Sequence, residues 1–417
     1  MKKTFLTLLA VAMLLPAVAQ KANVSKARNK TLSEEPDFAA AREAILPALT
    51  NDETKDDPKT WEVAAQIGEI EGQTLESQIY MGGDVMAIAQ SIGKAQYESA
   101  GYFTQAATLA AVPNAKGKPT NAGTLKKSQN ALLGYYTAPN NYIIQYGNKL
   151  FESRDFEGAY NAFMRWATIP DLPFMQEPKL LAKMPKDTLN YQIKYYAARA
   201  KFLDDKHAEA IKICESIKDG LYDQEGVLQL ITESYRQMGD TAQFLANLES
   251  GMKRFPKSQW FIGTMINHYV FGGKSKEALE LVDRIIAEEP QNGQYRFVKG
   301  NLLNNLERFD EAFASYQEAL DLNVSKELEP EVYSGIGRSF FNHAVKLNDE
   351  ATYEKDMNRV NQLDAEAKDL YKKALEYFEK VRELNPKDKD NLRTLRQLYY
   401  RFQMHDKYEQ IGAELAN

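Results

Sequence analysis

The sequence has little of what disulfide frameworks and metal centres are built from. It contains one cysteine, Cys214, and four histidines in 417 residues. A lone thiol has no partner within the chain for a disulfide bond. None of His207, His268, His343 and His405 has another metal ligand at a suitable spacing, so we expect no metal and no other cofactor. We interpret Cys214 as a small buried apolar residue, with a reactive or intermolecular thiol as the alternative.

Positive charge is not in excess either. The chain has 52 Lys and Arg against 58 Asp and Glu, for a formal net charge of −6. A nucleic-acid-binding surface needs clustered basic residues to neutralise phosphates. We therefore expect no nucleic acid among the partners. A composition that is 44% hydrophobic and 26% charged indicates a globular chain.

Long apolar runs are missing after the first twenty residues. The chain opens MKKTFLTLLAVAMLLPAVAQ, with Lys2 and Lys3 before an apolar run that ends near Leu15. Ala17 and Ala19 give the small-x-small pattern that a signal peptidase cleaves. The run is too short for a permanent membrane anchor, and no cysteine follows for lipid attachment. We predict a signal peptide over residues 1–19, with export to a Gram-negative periplasm as a soluble protein after cleavage near Ala19.

The motifs of common enzyme classes do not occur. The sequence has no G-x-S-x-G nucleophile elbow, no P-loop and no H-E-x-x-H zinc motif. Its paired acidic residues fall at expected helix ends or turns, where solvation and capping account for them. We therefore predict that the protein is not an enzyme.

A period of 34 residues is what the sequence does contain. Small or aromatic residues recur at this interval inside expected helices, and prolines recur where expected helices end. The columns are Ala210, Phe244, Ala278 and Ala312; Tyr235 and Tyr269; Gly239 and Gly273; and Pro256 and Pro290. Proline ends a helix because its ring cannot continue the hydrogen-bond ladder. Each helix pair has an uncovered apolar face, so it is stable only when stacked on its neighbours.

This pattern resembles the tetratricopeptide repeat family from about residue 140 to the C-terminus. In one copy Gly147, Leu150, Ala159 and Phe163 stand at the family's packing positions. The resemblance implies an all-α fold, a right-handed superhelical solenoid of antiparallel helix pairs. The Lys-Thr-Trp helix around residues 59–61 also resembles exported tetratricopeptide proteins of Bacteroides-type bacteria.

The rest of the chain departs from the repeat. We expect a flexible polar lead-in at 20–36 and an irregular helical region at 37–139, before a solenoid at 140–417 that ends in a degenerate capping pair. The interval from Ala159 to Ala210 is 17 residues too long, which predicts an insertion near 171–187. The interval from Gly337 to Ala374 is 25 residues too long, which predicts lengthened helices near 345–368. This second insertion is either a solvated spacer or a docking element.

The resemblance places any binding surface on the first helices of the pairs, which line a concave groove. Asparagine can bond an extended peptide backbone, and aromatic residues can receive apolar side chains. The candidate groove residues are Asn148, Tyr195, Arg199, Phe202, Asn267, Phe297, Asn301, Asn304 and Asn305. The alternative is that they only pack and solvate the inner surface. The carboxylate clamp known in the family is not supported, because its lysine position is never lysine here.

We predict a non-catalytic periplasmic scaffold or adaptor that binds an unidentified protein or peptide in this groove. The alternative is a glycan-binding or small-ligand-binding protein of the cell envelope. The missing lipid-attachment cysteine argues against this alternative. A thermal-shift screen with oligosaccharides would distinguish the two functions by experiment.

Overall fold

A computed structural model describes residues 20–185 and 188–416. The predicted signal peptide at 1–19 lies outside these residues. Within them the fold is all-α, as predicted, and no β-strand forms. No helix in the described ranges is long and apolar enough to cross a membrane. The chain divides into two compact units, Met1–Phe255 and Pro256–Asn417.

Unit 1 opens with a helix at 20–31, which we label α1. The helices that follow are α2 (Phe38–Thr50), α3 (Pro58–Tyr80), α4 (Val85–Ala111), α5 (Ala122–Thr137), α6 (Tyr142–Glu152), α7 (Phe156–Ala167), α8 (Pro178–Leu181), α9 (Leu189–Leu203), α10 (His207–Ile217), α11 (Gln224–Gln237) and α12 (Thr241–Arg254). Helices α3 and α4, α6 and α7, α9 and α10, and α11 and α12 pack as pairs. Successive pairs stack, since α7 packs on α9 and α10 packs on α11.

Unit 2 consists of four further pairs. They are α13 (Gln259–Phe271) with α14 (Ser275–Glu288), α15 (Gly293–Asn305) with α16 (Phe309–Asp321), α17 (Glu329–Tyr353) with α18 (Met357–Leu384), and α19 (Lys389–Arg401) with α20 (His405–Ala416). Helix α14 packs on α15, α16 on α17 and α18 on α19. The unit is therefore a continuous stack of helix pairs.

Aspartate starts many of these helices. Its carboxylate accepts a hydrogen bond from a backbone N–H of the first turn, a group that would otherwise have no partner within the helix. The aspartates that cap in this way are Asp37, Asp57, Asp84, Asp155, Asp223, Asp240, Asp356 and Asp388. The negative charge also lies favourably at the positive end of the helix dipole. Local sequence thus fixes where these helices begin.

Glycine opposite an aromatic ring sets the distance between the two helices of several pairs. A Cβ atom added at Gly147 would lie 2.6 Å from the ring of Phe163, and one at Gly300 would lie 2.5 Å from the ring of Tyr316. Sixteen residues separate the two members of each pair. Gly337 faces Phe378 in the same way, but 41 residues separate them, 25 more than in the other pairs. The additional residues lie in α17 and α18, which are longer than the other helices of unit 2.

The 25 additional residues lengthen α17 and α18. Their extended part has its own apolar contacts, formed by Ala344, Leu347, Ala351, Leu363 and Ala367. Near the turn between the two helices, Tyr353 and Met357 are exposed.

The insertion near 171–187 is compact over the residues described. It forms two 3-10 turns, Ile169–Asp171 and Pro173–Met175, followed by α8. Met175, Leu180 and Met184 are buried in a core that they share with α5 and α7.

Two segments differ from the sequence-based expectation. The lead-in expected to be flexible is helical at 20–31, because Ala27 is buried in a core shared with α2 and α3. The side chain of Thr31 bonds the carbonyl of Ala27 at 2.9 Å. Helix α5 lies inside the region expected to be irregular and helical, but the sequence did not indicate its bounds; it buries Leu132 and Tyr136.

Candidate functional site

Helix α9 presents a line of large side chains on its accessible side. Tyr195, Arg199 and Phe202 are spaced i, i+4 and i+7, which places them on one side of an α-helix. Arg199 is exposed and the two aromatic residues are half-buried. The buried residues of α9 include Ile193, Ala197 and Ala200. We call the line formed by Tyr195, Arg199 and Phe202 the α9 stripe.

Arg199 at the centre of the stripe is held by aromatic rings. Its Cζ lies 6.0 Å from the ring centroid of Phe151 on α6 and 6.0 Å from that of Tyr196. A guanidinium group is attracted to the face of an aromatic ring, and the ring leaves its N–H groups free for other partners. Arg199 makes no ion pair with any described residue. It is thus a positioned cation with donors available for a ligand carboxylate or carbonyl.

Three tyrosines form the end of the stripe nearest the start of α9. The ring centroid of Tyr195 lies 6.1 Å from that of Tyr196 and 5.7 Å from that of Tyr222. Burial raises the pKa of Tyr195 to about 12, so its hydroxyl stays neutral near pH 7. This end therefore offers aromatic surface and neutral hydroxyl groups.

The other end of the stripe reaches the turn between α9 and α10. The ring centroid of Phe202 lies 5.0 Å from that of His207. The Nε2 atom of His207 lies 3.9 Å from a carboxylate oxygen of Asp205. On the next pair, Nε of Arg236 donates to Glu233 at 2.8 Å. Polar and charged groups therefore lie next to the aromatic surface at this end of the stripe.

A lysine close to the stripe is not available to a ligand. Lys201 is buried, and its ammonium group lies 2.8 Å from Glu157 and 2.9 Å from Glu209. It also lies 3.9 Å from the ring centroid of Tyr160. Hydrogen bonds from Lys201 and Lys206 lower the pKa of Glu157 to about 2. These ion pairs join α7, α9 and α10, so this cation holds the fold.

The predicted groove residues of unit 2 are partly occupied by internal bonds. The hydroxyl of Tyr316 donates to Oδ1 of Asn301 at 2.8 Å, and the hydroxyl of Ser339 lies 3.3 Å from Oδ1 of Asn304. The rings of Phe297 and Tyr316 lie 6.0 Å apart. These contacts connect α15 to α16 and α17.

The remaining predicted asparagines are exposed. Asn267 lies on α13 and Asn305 at the end of α15, both in unit 2. Asn148 lies on α6 in unit 1, one helical turn before Phe151, the ring beneath Arg199. Of the nine predicted residues, the structure therefore places Tyr195, Arg199 and Phe202 in one stripe, with Asn148 on the neighbouring first helix.

Sequence reasoning missed a second aromatic and arginine cluster in unit 1. The rings of Tyr97 on α4 and Tyr146 on α6 lie 5.8 Å apart, and Cζ of Arg165 lies 5.1 Å from the ring centroid of Tyr97. A Cβ atom at Gly101 would lie 2.5 Å from Nη1 of Arg165, so the glycine makes room for the guanidinium. In the sequence, only the glycines at 93 and 101, four residues before and after Tyr97, indicated this cluster.

The described residues contain no group of three or more side chains that could hold a metal ion. What the α9 stripe offers is aromatic surface around one positioned cation. Such a surface can bind a carboxylate or a main-chain carbonyl together with an apolar group beside it.

Comparison with known proteins identifies the repeat. Residues 264–323 match the family model of the tetratricopeptide repeat, which confirms the predicted repeat type. No curated protein was found to be similar to the sequence. Among solved structures, a TPR repeats protein from Bacteroides fragilis is 16% identical, with 62% of this chain and 97% of that chain covered and a TM-score of 0.29. Yeast Tom70 is 12% identical, with 95% and 91% covered and a TM-score of 0.38.

Proposed function

We propose that the protein is a non-catalytic scaffold that binds an extended segment of a partner protein on the α9 stripe. Tetratricopeptide repeats typically serve protein–protein interaction, which supports the general class. The observation that carries the specific proposal is Arg199, an exposed guanidinium that rests on Phe151 and Tyr196 without an ion-pair partner in the described residues.

The chemistry of the stripe favours a segment with an acidic group next to an apolar one. The guanidinium of Arg199 would pair with a carboxylate, and its planar shape suits two parallel hydrogen bonds. Tyr195 and Phe202 flank it one helical turn away on either side, where they would contact the neighbouring apolar side chains. Asn148 would bond the main chain on the adjacent helix.

Replacing Tyr195 by Ala together with Arg199 by Gln should reduce partner binding on the order of tenfold or more. A hydrogen bond to a charged group contributes roughly 1.5–3 kcal/mol, and the lost aromatic contact adds to it. Recovery of the crosslinked partner from the native cell-envelope fraction, compared between variants, measures the effect. Arg199→Gln alone should change the melting temperature little, because Arg199 is exposed. Tyr195 is half-buried, so circular dichroism must show that the double variant is folded before its binding is compared.

Two matched variants locate the effect. Lys212→Gln removes an exposed cation from α10 away from the stripe and should bind normally. Asn267→Ala with Asn305→Ala tests the exposed groove residues of unit 2. If this double variant alone failed to recover the partner, the binding surface would lie in unit 2 and not on the α9 stripe. A melting-temperature shift with oligosaccharides that depends on Tyr195 would instead favour the glycan-binding alternative.

We also propose that the protein acts outside the cytoplasm, in the periplasm of a Gram-negative cell. The charged start, the apolar run and the Ala17-x-Ala19 pattern of residues 1–19 support export.

A further inference from the structure

The last helix pair of unit 2 lines an open pocket that is separate from the α9 stripe. The residues that line it are Arg393, Arg396, Gln397 and Tyr400 from α19, with Tyr408 and Leu415 from α20. Three of them, Arg393, Gln397 and Tyr400, are spaced i, i+4 and i+7 along α19 and so lie on one side of the helix. The pocket combines two guanidinium groups, two phenol rings and one aliphatic side chain.

Arg396 is fixed between the two helices. Its Cζ lies 4.6 Å from the ring centroid of Tyr408, and Nη2 donates to the hydroxyl of Tyr408 at 3.1 Å. Gly412, one turn after Tyr408, has no side chain opposite the guanidinium, and a Cβ there would lie 3.7 Å from Nη2. A guanidinium held over a ring in this way keeps a defined position.

The charge of Arg396 is not neutralised within the fold. It makes no ion pair with any described residue, and its buried Nε has no hydrogen-bond partner there. Arg393 pairs with Asp390 at 2.6 Å, but both side chains are largely exposed, so this pair is weak. Glu414 on α20 pairs with Arg382 at 2.7 Å. Among the residues that the structure describes, no carboxylate lines the pocket, so its described lining is positively charged.

The rim of the pocket is apolar and accessible. Tyr400 is 71% exposed, and its ring centroid lies 5.8 Å from that of Tyr408. Leu415 is half-buried on the opposite helix. An exposed tyrosine next to an unpaired arginine is a combination that binding surfaces use as an anchor site.

We propose that this pocket binds a peptide carboxylate, with the apolar side chain beside that carboxylate packed on Tyr400 and Leu415. Arg396 would form the main charge-assisted hydrogen bonds and Arg393 would add a second donor. The carboxylate is supplied either by the C-terminus of a polypeptide or by an Asp or Glu side chain. The proposal does not depend on the α9 stripe, because all the residues that carry it lie on α19 and α20.

Fluorescence anisotropy with labelled peptides tests the proposal on the full chain. Three probes are based on the peptide Gly-Gly-Leu-Leu-Tyr, with the label at the N-terminus. The first has a free C-terminus and the second is amidated. The third is amidated and has Asp in place of the second Gly. We expect the amidated probe to bind at least tenfold more weakly than the best carboxylate probe. The difference between the two carboxylate probes identifies the source of the carboxylate.

Variants connect the binding to the pocket. Arg396→Gln should weaken the carboxylate probe about tenfold, the effect of losing a charge-assisted hydrogen bond. Tyr400→Ala, at an exposed side chain that the fold does not need, should weaken it several-fold. Arg401→Gln removes a cation from the same helix outside the pocket and should leave binding unchanged. Equal binding of all three probes, or unchanged binding in a folded Tyr400→Ala or Arg396→Gln protein, would overturn the proposal.

Discussion

At the scale of single residues, the two helices of a pair pack closely because small and large side chains on facing positions fill complementary volumes. Positions sixteen residues apart face each other across a helix pair, and Tyr316 is fully buried against Gly300. The lone thiol fits this scheme, because Cys214 stands sixteen residues after Ala198 and both are buried. Burial raises the pKa of the Cys214 thiol to about 12, so the reactive thiolate is not populated near neutral pH. The sequence-based interpretation of Cys214 as a buried packing residue is confirmed.

Replacing Gly300 by Ala should lower the free energy of unfolding by about 1–3 kcal/mol, the usual cost of overpacking a core. The added Cβ would lie 2.5 Å from the ring of Tyr316, which Gly335 on α17 also confines, so the ring has little room to move. Urea denaturation followed by circular dichroism measures the change.

Gly263→Ala is the matched control for this substitution. It lies inside α13, where a Cβ would meet nothing within 4 Å. Alanine has a higher helix propensity than glycine, so this variant should be more stable by roughly 0.5–1 kcal/mol. If Gly300→Ala were instead as stable as the unmodified protein or more stable, packing against Tyr316 would not account for the glycine at this position.

At the scale of whole elements, the described part of the insertion near 171–187 is hydrogen-bonded to α5 through the side chain of Gln129. The amide nitrogen of Gln129 on α5 donates to the carbonyl of Phe174 at 2.7 Å and to the carboxylate of Glu177 at 2.9 Å. Gln129 is buried and Phe174 is half-buried, whereas Glu177 is exposed. The carbonyl of Phe174 is therefore the acceptor that would be less able to replace its partner with water.

Gln129→Ala should cost roughly 1–3 kcal/mol of stability, because it removes one hydrogen bond to a carbonyl and one to a carboxylate. The segment at 171–185 should also be cleaved faster by a protease under native conditions, because its attachment to α5 is weakened. Asn130→Ala changes the adjacent, exposed residue of the same helix and should have neither effect. Equal cleavage rates in Gln129→Ala and the unmodified protein would show that Met175 and its apolar neighbours hold the segment alone.

Sequence patterns predicted some elements closely and missed others for physical reasons. The sequence predicts a helical region at 37–139, and aspartate caps the start of each of α2, α3 and α4 inside it. The helix at 20–31 has only a narrow stripe, Val24, Ala27 and Thr31, in an otherwise polar segment, so composition alone suggested disorder. Helix α5 lies outside the 34-residue register and had no neighbouring copy to compare it with.

At the scale of the whole molecule, the repeat register predicted where groove residues stand but not what they bind. Asn301 and Asn304 stand at the expected positions, yet both side-chain oxygens accept bonds from within the fold. Because the buried hydroxyl of Tyr316 requires an acceptor, the tyrosine in the sequence indicated that a nearby side-chain oxygen would be occupied within the fold. Arg199 could be placed by register, whereas its support by Phe151 and Tyr196 depends on packing between helices.

Export is the last property that belongs to the molecule as a whole. Cleavage after Ala19 would remove Lys2 and Lys3, so the formal net charge of −6 would become −8. It would leave intact the helix at 20–31, whose Ala27 and Thr31 are buried in the core of unit 1. We therefore expect the protein isolated from the cell envelope to begin at Gln20, as determined by intact-mass measurement.

Replacing Ala17 and Ala19 by Leu should block this processing, because the peptidase requires small residues at both positions. The unprocessed chain should then stay attached to the membrane through its apolar run. Ala10→Leu, inside that run, preserves its hydrophobicity and should be processed normally. A chain that retains Met1 and stays in the cytosolic fraction would contradict export, and partners would then have to be sought inside the cell.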